Sequence, residues 1–379
     1  MHHFAFFRPT SNPVAQLRNA AIIFLSLLGV PNLPAAVIPV TEAKVLNGLT
    51  LNNWAIHSGA ANSTVNGASI ALSFKSTRNV ALQVDNRHLV PLPPTRCPII
   101  AWSVNGGPIQ SHQLSGAETS VPLATGVINP VVVIDLYIKG MSPFEDRYTG
   151  DVPPNSVRIT GFEVDSDGAV AARTNAPVWL NIGDSILSGD AAAYASGQGR
   201  PPDDGWAASD DGRASYGYLL AHHYGYCEAR LAYGGYDWGG GMAHVPSLST
   251  LIDQKTSTIS RLVNGILSPI PEVVLINLGE NGAPALADAT NALVRLRSRV
   301  LPTTKILVMI PVSGRARPQI TAAFTSYTNS TADAQAHLVD LGKITFATAD
   351  GQHPSGAGHQ SIYQTALPML DPIMGRVTK

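Results

Sequence analysis

From about Asn175 onward, five short apolar runs alternate with stretches of helical spacing, and this alternation restricts the chain more than any other feature. The runs are Val178 to Ile182, Ala229 to Tyr233, Val273 to Leu278, Lys305 to Ile310 and His337 to Leu341. Continuous Val, Ile and Leu in pieces this short fit parallel strands covered on both faces. The intervening stretches, Ser215 to Tyr224, Thr256 to Ile266, Ala283 to Val300 and Pro318 to Tyr327, read as helices, with a last one from Pro354 to about Met374. Right-handed crossovers then predict an α/β domain over 175–379, a five-stranded parallel sheet of flavodoxin-like type with helices on both sides.

The first half has another rhythm. Ile70, Leu72 and Phe74 alternate with Ala71, Ser73 and Lys75, and Val80, Leu82 and Val84 continue the period of two. Ile100, Trp102 and Val104 repeat it and run into Asn105-Gly106, a favoured hairpin turn. Further runs cover Val131 to Ile138 and Val157 to Val164. Strands joined by short turns predict an all-β sandwich or jelly roll over 37–174. Asp165, Asp167 and Gly168 read as a plain turn, since the later ligands of a calcium loop are missing.

A length of 379 residues suits two domains. With Lys+Arg 25 against Asp+Glu 26, no basic field exists to hold nucleic acid or an anionic membrane by charge. Residues 1–36 have the order of a signal peptide: Arg8 and Arg18, an apolar run from Ala20 to Val30 too short to span a bilayer comfortably, then small residues up to Ala36. Export, to a periplasm or beyond, is the expectation. Cys97 and Cys227 fall in different domains, and the sequence leaves open whether they pair.

Chemistry enters at Asn181-Ile182-Gly183-Asp184-Ser185, which places a serine where a buried strand ends. In an open α/β sheet the ligand crevice lies there. A serine hydroxyl needs a base and an oxyanion site to act as a nucleophile. Asp350-Gly351-Gln352-His353-Pro354 offers the base, because a separation of three keeps carboxylate and imidazole on one turn. Pro354 suits the first turn of the last helix. The order Ser, Asp, His is that of α/β-hydrolases, yet Leu187 stands where their elbow has its second glycine, so a different serine-hydrolase fold is indicated.

Gly183-Asp184-Ser185-Ile186-Leu187 resembles the first block of the SGNH, or GDSL, hydrolase superfamily, and Asp350-x-x-His353-Pro354 resembles its last. Between them, Ala232-Tyr233-Gly234-Gly235 is similar to the second block and Leu278-Gly279-Glu280-Asn281 to the third. The blocks stand in the family's order, and the first three follow predicted strands. A β-rich domain ahead of such a domain is similar to the family-two carbohydrate esterases, which remove acetyl groups from polysaccharides. The resemblance implies Ser185 as nucleophile, His353 as base and Asp350 as its orienter, with an oxyanion hole of the Ser185 amide, the Gly235 amide (Gly234 being the rival register) and the Asn281 side chain. Two departures stand out: Gly282 follows Asn281 where the family has an aspartate, and Glu280 puts a negative charge beside the oxyanion.

The expected activity is therefore a serine esterase acting on an acylated carbohydrate or small ester, chiefly on an O-acetyl group, with no cofactor or metal and no membrane insertion. An O-acyltransferase on the same triad and a carbohydrate-binding protein with a degenerate site are the alternatives. Asp184 is expected to brace its loop, His359 to be structural, and His222-His223 to bind no metal. Tyr236, Asp237 and Trp238 are candidates for lining the cleft, with core packing the equal alternative for the tryptophan, and the long stretch from Ser188 to Ala214, which carries Trp206, is another candidate wall.

Overall fold

The computed structural model describes residues 35–49, 53–171 and 176–376. The expected leader, 1–36, lies outside the described residues except for Ala35 and Ala36. From Ala36 on, the described residues form one compact unit. Eleven strands come first: β1 (Ala36–Pro39), β2 (Ala55–His57), β3 (Ala60–Ser63), β4 (Ser69–Lys75), β5 (Val80–Val84), β6 (Ile99–Val104), β7 (Gln110–Gln113), β8 (Ser120–Ala124), β9 (Val131–Gly140), β10 (Val157–Val164) and β11 (Ala169–Ala171). They form two antiparallel sheets. One has the order β2-β3-β10-β5-β8 with β1 on β10, and the other β11-β4-β9-β6-β7.

The period of two explains why these sheets face each other. Ile70, Leu72 and Phe74 of β4 and Val80, Leu82 and Val84 of β5 all enter one apolar core, while the residues between them are less buried. Phe74 and Phe162 meet in that core with ring centroids 5.5 Å apart. Asn105 and Gly106 take φ of +53° and +72°, the left-handed pair a type I′ turn needs after β6. Asp165 is a turn brace, its Oδ2 accepting from the Arg78 amide at 2.6 Å and its Oδ1 from Asn79 Nδ2 at 2.9 Å.

The second part holds a parallel sheet of β12 (Val178–Gly183), β13 (Cys227–Ala232), β16 (Pro271–Asn277), β17 (Lys305–Met309) and β18 (Ala336–Val339), in the order β13-β12-β16-β17-β18. This is the flavodoxin-like 2-1-3-4-5 order. Its helices are α4 (Tyr216–His223), α6 (Leu286–Arg297), α7 (Arg317–Thr331) and α8 (Gly356–Met374), after α1 (Ala43–Leu46) in the first part and with the single turns α2 (Ser185–Ser188), α3 (Trp206–Ser209) and α5 (Leu248–Leu251). Both faces of the sheet are covered. Leu180, Ile182 and Val274 pack with Leu293 of α6 and Ile320 of α7, while Trp179, Leu275 and Leu307 pack with Leu220 of α4 and Ile362 of α8. No helix among the described residues is long and apolar enough to cross a membrane.

Two expectations need correction. Thr256 to Ile266 is not a helix: it contains a loop and a small hairpin of β14 (Leu262–Val263) and β15 (Ile266–Leu267). The Thr256 and Ser260 hydroxyls accept from the amides of Ile259 and Leu262, competing with a helical ladder, and Asn264-Gly265 takes φ of +53° and +79° as a type I′ turn. Pro354 is not in the first helical turn either. It bridges back to Thr348, and Ser355 caps α8 instead by accepting from the Gly358 amide at 3.3 Å. On the question the sequence leaves open, Cys97 and Cys227 are both free thiols, one buried and one exposed.

The two parts are joined by polar contacts, one buried and one half-buried. Asn66 Nδ2 reaches from the sandwich to Ser188 Oγ (3.0 Å) and Asp210 Oδ2 (3.1 Å), and Arg213 forks onto Asp135 with two bonds of 2.7 Å.

Candidate active site

Strands β13, β12 and β16 are neighbours and run parallel, so the segments leaving their carboxyl ends emerge side by side. Those segments carry Gly234-Gly235, Ser185 and Asn281. Adjacent strands thus bring together residues nearly a hundred positions apart in the chain.

Ser185 opens α2, whose N-cap is Asp184. Asp184 Oδ1 accepts from the Ile186 amide at 2.9 Å, which fixes the tight turn after β12. The side chain is fully buried, and burial, with Glu280 and Asp190 nearby, pushes its carboxyl up to about 8. It braces the turn as a neutral acid at neutral pH.

The histidine expected to act as base arrives from the far end of the chain. Thr348 and Pro354 bridge as a small hairpin, and Gly351 takes φ of +88° within it, a left-handed conformation that suits glycine. Asp350 folds back over this turn. Its Oδ1 accepts from the amides of Gln352 (3.0 Å) and His353 (2.7 Å), and its Oδ2 meets His353 Nδ1 at 2.7 Å. Burial raises the Asp350 carboxyl, but the His353 amide and imidazole outweigh it and hold the group below the usual carboxylate range. The other ring nitrogen, Nε2, lies 3.0 Å from Ser185 Oγ. Trp206 packs against the His353 ring, centroids 5.3 Å apart and nearly perpendicular.

Ser185, Gly234, Gly235, Asn281, Asp350 and His353 all line one pocket of about 340 Å³. The amide of Ser185, first in its helical turn, has no intrahelical acceptor. Gly235 takes φ of +65°, and Met242 lies 2.7 Å from where its Cβ would stand. A Cβ on Gly234 would meet Pro143 at 2.7 Å, so neither position has room for a side chain. Asn281 Nδ2 donates one hydrogen to the Tyr236 carbonyl at 3.0 Å, which steadies the amide and leaves its second hydrogen for another acceptor.

The two departures in the third block are resolved by their neighbours. Glu280 turns its carboxylate to Ser313, accepting from its amide (3.1 Å) and hydroxyl (2.6 Å), and it does not line the pocket. Asp237 Oδ2 comes within 2.7 Å of the place a Cβ on Gly282 would take, so a carboxylate reaches this loop from the neighbouring one.

Other predicted residues fall elsewhere. Tyr236 and Trp238 pack in the core below the sheet ends, because the chain turns inward after Gly235. His359 is fully buried on α8 and accepts from the Tyr216 amide through Nδ1 at 3.3 Å; burial drives its pKa down to about 3, so it stays neutral. His223 Nδ1 meets Tyr363 Oη at 2.9 Å. The aromatic wall of the pocket is built instead from Trp206 and Phe144, whose rings meet edge to face at 6.4 Å. Trp206 lies in the long stretch after Ser185 singled out in the sequence. Phe144 belongs to the segment after β9, where no local pattern marks it.

This arrangement of sandwich and parallel sheet has counterparts among solved structures. A family two carbohydrate esterase from Cellvibrio japonicus superposes with a TM-score of 0.72 at 15% identity, covering 90% of this chain and 98% of that one. The chain has the fold of the family-two carbohydrate esterases. An acetyl xylan esterase from the rumen bacterium Butyrivibrio proteoclasticus matches with a TM-score of 0.68 at 16% identity over 90% of this chain and 99% of the other. A family two carbohydrate esterase from Clostridium thermocellum, solved with cellohexaose, gives 0.67 at 16% identity over 85% and 98%. No sequence-family model and no curated protein sequence matches the chain. The carbohydrate-esterase fold is therefore visible through tertiary structure and four short blocks, not through overall sequence identity.

Proposed function

We propose that the protein is an exported serine esterase that removes O-acyl groups, chiefly O-acetyl, from a carbohydrate. The observation that carries this reading is the unbroken relay from Asp350 to His353 (2.7 Å) to Ser185 Oγ (3.0 Å) inside a pocket. Ser185 Oγ attacks the ester carbonyl while His353 Nε2 takes its proton, and Asp350 holds the ring tautomer and balances the imidazolium. The oxyanion is met by the amides of Ser185 and Gly235 and by Asn281 Nδ2. His353 returns the proton to the departing alcohol, and a water activated by the same nitrogen releases the acid from the acyl-enzyme. Acetyl is favoured because Pro143, Phe144, Trp206 and Met242 crowd a small pocket. Export rests on the order of residues 1–36.

The test is acetate release from acetylated oligosaccharides and from aryl esters of rising chain length. Acetate release that falls with chain length is expected. Transfer of acetyl to a sugar acceptor without free acetate would assign an acyltransferase, and saccharide binding without turnover would assign a binding protein.

A further inference from the structure

Two arginines stand over the two aromatic side chains of the pocket, and their surroundings differ. The Arg96 guanidinium is 5.9 Å from the centre of the Phe144 ring and is neutralised twice, by Glu145 at 2.9 Å and by Asp204 at 2.7 Å. The Arg200 guanidinium is also 5.9 Å from its ring, that of Trp206, but it makes no hydrogen bond or ion pair with any described residue. Arg200 nevertheless lines the pocket beside Gln352, and Trp206 in turn touches the His353 ring.

The backbone carrying Arg200 is anchored. The amides of Gly197 and Gly199 donate to the carbonyls of Thr348 (2.9 Å) and Ala349 (2.8 Å), directly before the Asp350 turn, and Pro201 behind them is buried. Both glycines take positive φ, +74° and +99°, a left-handed conformation that suits glycine. The cation is thus carried on a segment tied to the catalytic turn, over an aromatic face that favours positive charge.

Neither acid of the same pocket pairs with it. Asp350 is bound to His353, and Asp190 is buried beneath Gly234, where burial raises its carboxyl above the usual range. A planar guanidinium with free donors at the mouth of an ester-cleaving pocket matches a carboxylate in the fork geometry that arginine offers.

We propose that Arg200 selects an acidic saccharide, so that the alcohol side of the ester belongs to a sugar chain bearing uronic acid carboxylates. This rests on the esterase reading and names its substrate class. The carboxylate docks on Arg200 while a neighbouring acetylated sugar reaches Ser185.

The experiment compares acetate release from an O-acetylated uronic acid oligosaccharide with release from the same oligosaccharide after methyl esterification of its carboxyls, with an aryl acetate alongside. Expected is a kcat/KM ratio of about tenfold in favour of the charged form, as for a hydrogen bond to a charged group, shrinking as salt is raised. Arg200→Gln brings the ratio close to one, and Arg200→Lys keeps part of it. A wild-type ratio near one, or a ratio that survives Arg200→Gln, overturns the proposal while leaving the esterase reading standing. No turnover of any of the three esters by the wild-type protein overturns both.

Discussion

Asn66 of the sandwich donates to Asp210 of the α/β part at 3.1 Å, and the same amide nitrogen reaches Ser188 Oγ at 3.0 Å. All three side chains are buried. Asp210 in turn accepts from the Ala191 amide through its other oxygen, so one sandwich residue fixes the loop that lines the pocket.

Asn66→Ala is therefore expected to lower stability by about 1 to 3 kcal/mol, the cost of leaving buried acceptors without a donor. Denaturant unfolding measures it. A loss below a few tenths of a kcal/mol would show that the loop is held by other contacts. Turnover should fall as well, because Asp190 and Trp206 belong to the loosened stretch.

The relay makes sharper demands. Ser185→Ala should abolish turnover of a simple aryl acetate with circular dichroism and melting temperature unchanged. Asp350→Asn should lower kcat by roughly 10² to 10⁴, since it removes the carboxylate that orients and balances the imidazole. Undiminished turnover by Ser185→Ala rules out the proposed nucleophile.

Gly282 leaves room for the Asp237 carboxylate, 2.7 Å from where its Cβ would be. Gly282→Asp sets two carboxylates against each other next to Asn281 and should cut kcat about tenfold or more, the range for disturbing an oxyanion donor. Adding Asp237→Ala should restore much of it. Steady-state kinetics of the single and double variants tests this, and equal losses in both would mean that the two side chains do not compete for one place.

Asp184 gives a stability prediction with a definite sign. Its folded carboxyl is pushed up to about 8 by burial, above the ordinary value of 3.8. The folded state therefore holds the proton more tightly, and this contribution is fully present below about pH 3.8. It is lost as pH rises toward 8, with a slope of up to about 1.4 kcal/mol per pH unit. Asp190 and Asp210, both raised by burial, act in the same direction. Asp184→Asn keeps an acceptor for the Ile186 amide and should flatten the profile between pH 4 and 8. Melting temperatures across that range provide the measurement, and an unchanged slope would count against the buried neutral acid.

Much of the fold is legible in the sequence because it is written in local periods. The five parallel strands lie within two residues of their apolar runs, and β10 coincides with the run from Val157 to Val164. The Asp350-to-His353 turn is equally local, closing within four residues. The Thr256 to Ile266 stretch misleads because its apolar residues have helical spacing while Asn264-Gly265 and the hydroxyls around it favour a turn. Tyr236 and Trp238 follow a block that does line the pocket, yet only the inward path of the chain decides that they are core.

The sequence by itself determined the layer order, the sheet type and the four blocks, since each depends on residues within one strand, helix or turn. Tertiary structure alone decided that Phe144 and Trp206 share a wall, that Asp237 stands beside Gly282, that Glu280 turns away to Ser313, and that Arg96 is neutralised while Arg200 is not. Those facts depend on side chains distant in sequence meeting at the ends of neighbouring strands. Packing decides such meetings, and no local period records them.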